Sequence, residues 1–417
     1  MNIVYVSVLD TIGRRFNGGD LMQHYNGLGH HCTQFVWDKK GNDPSVVLLG
    51  TPAVRWGLYY LPRAVEKMTS LQSRFSWTPL ALEHSRQFRN ADIVHYQLIN
   101  NNYFNITMLP HLSRRRPSVW TLHDMWAFTG HCVFSHDCER WLTGCGECPD
   151  LTSFVPMTRD RTDTMWKVKQ RMFSRWNGDI IVASEWMRSR VQQSPVLSGQ
   201  RVHYVPFGID ERIFAPVDRQ AARTALGIGE EAFVIGVRAS KQRYKGFPQL
   251  RECLSNLDTG RPTVILTFDK TGLLDDFNDR YTVIDAGWVD DQRRLSMLFN
   301  AMDVFITPST AESFNLTAIE AMACEVPVIA FSTTPMEDLV RKDRAGVIVP
   351  HKDAHAMAAA VSGLARNEAR RRSLGSEGRS IVLQDYTFAL HAERMMAVYH
   401  EVRERFHRDR SGSRRGG

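Results

Sequence analysis

No apolar run in these 417 residues approaches the ~18 consecutive residues that a membrane-spanning helix needs. The opening Met1-Asn2-Ile3-Val4-Tyr5-Val6 has no basic segment ahead of its apolar stretch, so it reads as a first strand rather than a secretion signal. Both absences lead us to expect a cytoplasmic protein. The seven cysteines are an odd number in a large chain, which argues against a disulfide framework in a reducing compartment. No two aspartates stand two positions apart, so there is no Asp-x-Asp metal motif. There is also no Gly-x-x-x-x-Gly-Lys-Ser/Thr phosphate loop and no His-Glu-x-x-His. Any diphosphate bound here must be met by arginine, lysine and helix amides, with no catalytic cofactor and no essential divalent ion. A single basic stripe is missing too. The 52 Lys and Arg exceed the 45 Asp and Glu by only seven, and several of the excess arginines (Arg403, Arg405, Arg408, Arg410, Arg414, Arg415) gather at the end. No nucleic-acid partner is expected.

What is present is alternation. Strand-like runs at Asn2–Val8, Asp92–Tyr96, Ser118–Leu122, Asp179–Ala183, Ala232–Val237, Thr263–Thr267 and Asp303–Thr307 are separated by longer helical patterns. Many are continuously apolar, as parallel strands buried on both faces are. The pattern predicts an α/β protein of doubly wound, Rossmann-like domains. A break at Val205-Pro206-Phe207-Gly208-Ile209-Asp210 divides the chain. We place one domain at 1–206, a second at 207–386, a last helix at 387–408 and a disordered tail at 409–417. Residues 51–90 mix Trp56, Tyr59, Tyr60, Phe75 and Trp77 with Arg55, Arg63, Lys67 and Arg74. They read either as amphipathic helices with core aromatics or as a surface for the inner face of a membrane.

The most informative stretch is Thr307-Pro308-Ser309-Thr310-Ala311-Glu312-Ser313-Phe314-Asn315-Leu316-Thr317-Ala318-Ile319-Glu320. A strand ends, a helix begins, and two glutamates stand eight apart. Amides around Ser313, Phe314, Asn315, Leu316 and Thr317 would point from the helix start into the crevice beyond the strand ends, where a diphosphate fits. The competing reading is two surface glutamates on a helix.

This run resembles the Glu-x7-Glu signature of the retaining glycosyltransferases of family four, which have the GT-B fold. Gly287-Trp288-Val289-Asp290, Leu295, Asn300-Ala301-Met302-Asp303-Val304-Phe305 and the interdomain Val205–Asp210 share the resemblance, as do Thr121-Leu122-His123-Asp124 and Gly18-Gly19. It covers most of residues 1–400. The resemblance implies two Rossmann-like domains facing across a cleft, with the acceptor on the first and a nucleotide-diphosphate sugar on the second. It implies that Glu312 contacts the donor sugar and Glu320 the ribose hydroxyls. Arg238 and Lys245 would neutralise the leaving diphosphate, with Lys241 a rival for one of those places. It implies that His123 meets the sugar and that Gly18-Gly19 forms a glycine-rich donor loop. The family's Glu-Gly-Phe-Gly is Glu312-Ser313-Phe314-Asn315 here, an expected glycine is Glu325, and a Gly-Gly turn is Thr333-Thr334-Pro335.

A second cluster is Cys132-x5-Cys138-x6-Cys145-x2-Cys148, within a loop at 131–149. Four thiolates could close a structural zinc site, or serve as reduced packing residues or a redox pair. The segment resembles a cysteine-bearing insertion of exopolysaccharide and colanic-acid type members of the family. The function implied is transfer of a sugar to a saccharide or polyprenyl-linked acceptor in surface-polysaccharide assembly. The rivals are a sugar-nucleotide epimerase on the same fold and a zinc-bearing nucleic-acid binder.

Overall fold

The computed structural model describes all residues except 12, 51, 101, 342, 343 and 414–417, and the side chains of all of these except 52–59, 412 and 413. The chain forms two compact units, one of Met1–Val205 together with the chain from Ala392 onward, the other of Pro206–His391.

The first unit is a seven-stranded sheet. Its strands are β1 (Asn2–Leu9), β2 (His31–Asp38), β3 (Val46–Leu48), β4 (Ile93–Tyr96), β5 (Ser118–Thr121), β6 (Asp179–Val182) and β7 (Val202–Tyr204), in the order β3-β2-β1-β4-β5-β6-β7. Every pairing is parallel. All residues of β4, β5 and β6 are buried, which is why these strands carry Ile, Val and Trp without polar alternation. The second unit holds β8 (Phe233–Ala239), β9 (Thr263–Asp269), β10 (Thr282–Asp285), β11 (Val304–Thr307), β12 (Val328–Phe331) and β13 (Gly346–Val349) in the order β10-β9-β8-β11-β12-β13, again parallel. Both orders reverse direction beside their first strand, between β1 and β4 and between β8 and β11. In doubly wound sheets that switch point opens a crevice at the carboxyl ends of the strands.

The last helix, Phe388–Ser413, is longer than expected from the sequence. Residues 409–413, read there as disordered tail, are helical, while 414–417 lie outside the described residues. The helix also does not stand apart as a separate segment. Its residues up to His391 belong to the second unit, where His391 Nδ1 lies 2.7 Å from the Pro206 carbonyl. From Ala392 it belongs to the first: Tyr25 donates its hydroxyl proton to the Ala392 carbonyl (2.6 Å), Tyr399 is fully buried, and Arg405 pairs with Asp179. Among the described residues no helix is long and apolar enough to cross a membrane.

One buried charge organises the second unit. Asp303, just ahead of β11, accepts from the Val234 amide (2.8 Å), from Arg223 (2.7 Å) and from Arg219 (3.0 Å), with Arg371 at 3.7 Å. Asp303 and Arg223 are each 5% exposed. Asn300, one turn earlier, accepts from the Val217 amide (2.8 Å) and donates to the Ala215 carbonyl (3.0 Å). Asp303→Ala strands a buried guanidinium and an amide, which costs about 3–5 kcal/mol. Urea titration is expected to show that loss as a lowered midpoint for the second unit. An unchanged midpoint would remove Asp303 as the organiser.

Candidate active site

The second unit's switch point is built from two loops. One follows β8 and ends at Gly246. The other follows β11 and leads into the helix Leu316–Ala323. They meet through their backbones: the Thr310 amide donates to the Tyr244 carbonyl (2.8 Å). Gly246 has φ of +66°, and a Cβ there would lie 1.7 Å from the Pro308 carbonyl oxygen, so no other residue fits. The closeness brings Lys245 Nζ to 2.6 Å from Glu312 Oε1. Ser309 also donates to Oε1 (2.8 Å). Oε2 accepts no bond from the described residues. Glu312 therefore has one oxygen tied to the protein and one open to a ligand. Lys241, the rival from the sequence, is exposed, and Lys245 is the lysine that reaches Glu312.

Arg238 does not join that pair. Its Nε donates to Asp269 Oδ2 (3.0 Å) at the end of β9, and its two terminal nitrogens have no partner among the described residues. Asp269, with φ of +98°, was not legible as a site residue. Glu320 lies inside the helix and is 2% exposed.

The stretch between the glutamates divides by role. The Phe314 ring is buried, 5.3 Å from Phe207 and 6.1 Å from Tyr386, so it is core and its side chain faces no ligand. The Asn315 side chain is also committed: it caps the helix by accepting from the Ala318 amide (3.1 Å) and donates to Thr307 Oγ1 (3.0 Å). Both side-chain commitments have one cause, the need to bury and terminate a helix start; they leave the reading of the backbone amides as it was. Ser313 and Thr317 are half-buried and Leu316 is buried; the Leu316 and Thr317 amides make no hydrogen bond among the described residues.

In the first unit, Gly18 (φ +88°) starts the helix Gly19–Gly27, and a Cβ there would meet the Tyr5 ring at 2.5 Å. The Gly19 amide is already taken by Asn17 Oδ1 (2.9 Å), so it is not an open phosphate donor. The neighbouring Phe16 ring meets His123 edge-on at 6.1 Å, beyond the end of β5. His123 Nε2 lies 2.7 Å from Gln97 Oε1, and the Gln97 amide nitrogen lies 3.0 Å from His95 Nε2. His95 in turn contacts Tyr399 (2.6 Å) and Thr121 (2.7 Å). With the amide so oriented, Gln97 accepts the His123 Nε2 proton, which makes Nδ1 the lone-pair nitrogen. Burial pushes the His123 pKa down to about 3. His123 is thus neutral, able to accept a hydroxyl proton in a hydrogen bond but not to supply positive charge. Gln97 escaped the sequence reading because a lone glutamine after a strand carries no signal.

Residues 20–212 match the family model described as Glycosyltransferase Family 4, and residues 268–367 match that of Glycosyl transferases group 1. The chain belongs to the family 4, group 1 glycosyltransferases. It is 26% identical over 263 residues to WcaC of Escherichia coli K12, which carries the name of a colanic acid biosynthesis glycosyl transferase; the match covers 60% of this chain and 62% of that one. The chain thus spans about three fifths of that relative's length. Two solved structures share the fold. Sucrose-phosphate synthase from Thermosynechococcus elongatus gives a TM-score of 0.69 at 20% identity, over 96% of this chain and 98% of its own. Anabaena Alr3699/HepE, in complex with UDP and glucose, gives 0.66 at 16% identity, over 95% and 99%. The fold is GT-B.

Two departures from the family's glycines now have a geometry. Glu325 and Thr333 stand in for glycine with φ of +60° and +61°, the left-handed region that glycine ordinarily supplies.

The four clustered cysteines are free thiols that line one small cavity between Gly130 and Thr162. Cys145 Sγ accepts from the Gly130 amide (3.2 Å). Burial pushes the Cys132 thiol up to about 12 and Cys145 up to about 11. As placed, no group of three or more His, Cys, Asp or Glu among the described residues is gathered to hold a metal ion. Lys169 is fully buried, donates to the Trp126 (2.5 Å) and Thr129 (2.9 Å) carbonyls, and makes no ion pair among the described residues.

Gln97→Glu puts a carboxylate against His123 Nε2 and is expected to raise the imidazole pKa from about 3 toward or above an ordinary histidine's ~6.5. The folded protein would then gain a proton on His123 as pH falls through that range. NMR titration of the imidazole should show it, and kcat/KM should acquire an acid limb that the wild type lacks. An imidazole still neutral at pH near 5 would refute the Gln97 contact.

Proposed function

We propose that this glycosyltransferase moves a sugar from a nucleotide-diphosphate donor to a saccharide or polyprenyl-linked acceptor, with retention of anomeric configuration and without a catalytic metal. The observation that carries the reading is the Lys245–Glu312 pair at the switch point of the second unit. A cation fixed beside a carboxylate with one open oxygen is suited to a reaction in which negative charge grows on a diphosphate while positive charge grows on a sugar. Arg238 and the Leu316 and Thr317 amides supply further positive ends for the diphosphate. We assign Glu320 to the ribose hydroxyls, the role that the family resemblance implies. Glu312 is tied to Lys245 and Ser309, which disfavours it as a nucleophile. We therefore assign same-face attack, with the leaving phosphate oxygen taking the acceptor's proton. Neutral His123 then accepts a hydrogen bond from a sugar hydroxyl. The similarity to WcaC supports an acceptor in surface-polysaccharide assembly, and the fold shared with Alr3699/HepE supports a UDP-type donor.

Attachment at the inner membrane surface is part of the proposal. Of the stretch at 55–77, the side chains of Arg55, Trp56 and Tyr59 lie outside the described residues. Tyr60, Leu61, Met68 and Trp77 are exposed, beside exposed Arg63 and Lys67. Such a face buries rings at the headgroup level.

The test is a panel of nucleotide sugars with EDTA present. Glu320→Ala and Arg238→Ala are expected to raise the donor KM about ten- to hundredfold, the effect of losing one charged hydrogen-bond partner. Glu312→Ala is expected to lower kcat instead. Normal kinetics in all three variants, or conversion of donor to an epimer without acceptor, would overturn the reading.

We also propose that Cys132, Cys138, Cys145 and Cys148 hold a structural zinc ion. The donor set is right for zinc, all four face one cavity, and buried Lys169 would offset the net negative charge of four thiolates around the ion. Binding would draw the sulfurs inward and brace the loop after His123. Elemental analysis of protein purified without added metal should find about one zinc per chain, lost in Cys145→Ser with a fall in stability. Metal-free, fully stable wild type would refute it.

A further inference from the structure

The helices Leu109–Arg115 and Thr162–Phe173 of the first unit lie side by side, and a groove of about 310 Å³ runs along their junction. Pro110, His111 and Arg114 line it from one helix; Arg171, Met172 and Arg175 line it from the other side. Pro110, His111 and Arg114 have the spacing of a single helical face, and Arg175 stands in the turn just after the second helix. Pro110 and Met172 are buried and form the floor, while Arg114, Arg171 and Arg175 are exposed along the rim. Arg74 adds a fourth guanidinium, and its Nε is buried with no hydrogen-bond partner among the described residues.

No carboxylate lines this groove, and none of the four arginines makes an ion pair among the described residues. The excess extends further. A second hollow of about 620 Å³ shares Arg114 and adds Arg89, Arg115, Arg116 and Arg410. Its one carboxylate, Glu83, is already paired with Arg115 at 2.7 Å. Burial first, and then repulsion from Arg410, hold the Arg116 guanidinium below its usual range, against an opposing pull from Asp92. Gathering this much like charge costs free energy unless an anion offsets it. The patch is also separate from the catalytic reading. Arg116 precedes β5, whereas His123 follows the opposite end of the same strand.

We propose that the arginine groove is a binding site for a phosphate-bearing anion. Guanidinium forks match phosphate oxygens in pairs, and the apolar floor accepts the carbon skeleton attached to such a group. The two sources of that chemistry are a soluble phosphate ion and the headgroup of an anionic phospholipid. A groove of this size does not admit a nucleic-acid duplex.

The probes are inorganic pyrophosphate and phosphatidylcholine vesicles with or without phosphatidylglycerol, all at matched ionic strength. The full chain is compared with Arg171→Ala/Arg175→Ala, whose exposed positions leave the core untouched. Pyrophosphate is titrated in a Lys245→Ala background, so that binding at the proposed donor site does not count. At roughly fivefold per surface cation, the double variant is expected to bind about thirtyfold more weakly. Loss on the pyrophosphate arm alone assigns a soluble phosphate; loss on the phosphatidylglycerol arm assigns the headgroup. Either supports the site. No binding on both arms, binding that the double variant retains in full, or arginine-dependent binding of RNA with neither probe bound would overturn it.

Discussion

The second unit's chemistry depends on one close approach, the seating of Gly246 against the Pro308 carbonyl. It is a backbone contact, so it does not vary with rotamer, and it joins the loops leaving the two strands that flank the switch point. Once those loops are joined, Lys245 has little choice but to meet Glu312, and Ser309 completes the same carboxylate oxygen. The Glu312 charge is therefore organised before any ligand arrives, the arrangement that makes electrostatic stabilisation effective without reorganisation during reaction. Asp303 performs the corresponding task at the other end of β11, fixing the strand from which the second loop springs.

In the first unit the organising element is a chain of polar groups through the core. It runs from His123 through Gln97 and His95 to Tyr399 on the last helix. Buried polar chains of this kind are stabilising only when every member is satisfied. Here the satisfaction also sets which nitrogen of His123 carries the proton.

The doubly wound α/β architecture was legible because parallel strands buried on both faces are continuous apolar runs. All seven strands read from the sequence are present, with ends shifted by one or two residues. Short strands with mixed burial, such as Val46–Leu48 and Val202–Tyr204, gave no such signal. The position of Glu312, Lys245 and His123 was legible through family resemblance, but a motif records scaffold and chemistry together. Phe314, Asn315, Asn300 and Asp303 lie within the recognised runs and serve the scaffold. Gln97 and Asp269 lie outside them and touch the groups expected to act. Contacts between distant positions are what a single sequence cannot display, and each of these pairs is more than twenty residues apart.

The last helix has a consequence for how the molecule is made. Residues after Ala392 complete the first unit, where Tyr399 fills the space between Tyr5, Tyr25 and His95. A chain emerging from the ribosome can close the second unit's sheet as soon as it is synthesised, since that unit is continuous. The first unit cannot do so, although it is made first. Its buried tyrosines and His95 wait for a partner more than three hundred positions further on, so the unit synthesised ahead of the second is the one completed after it.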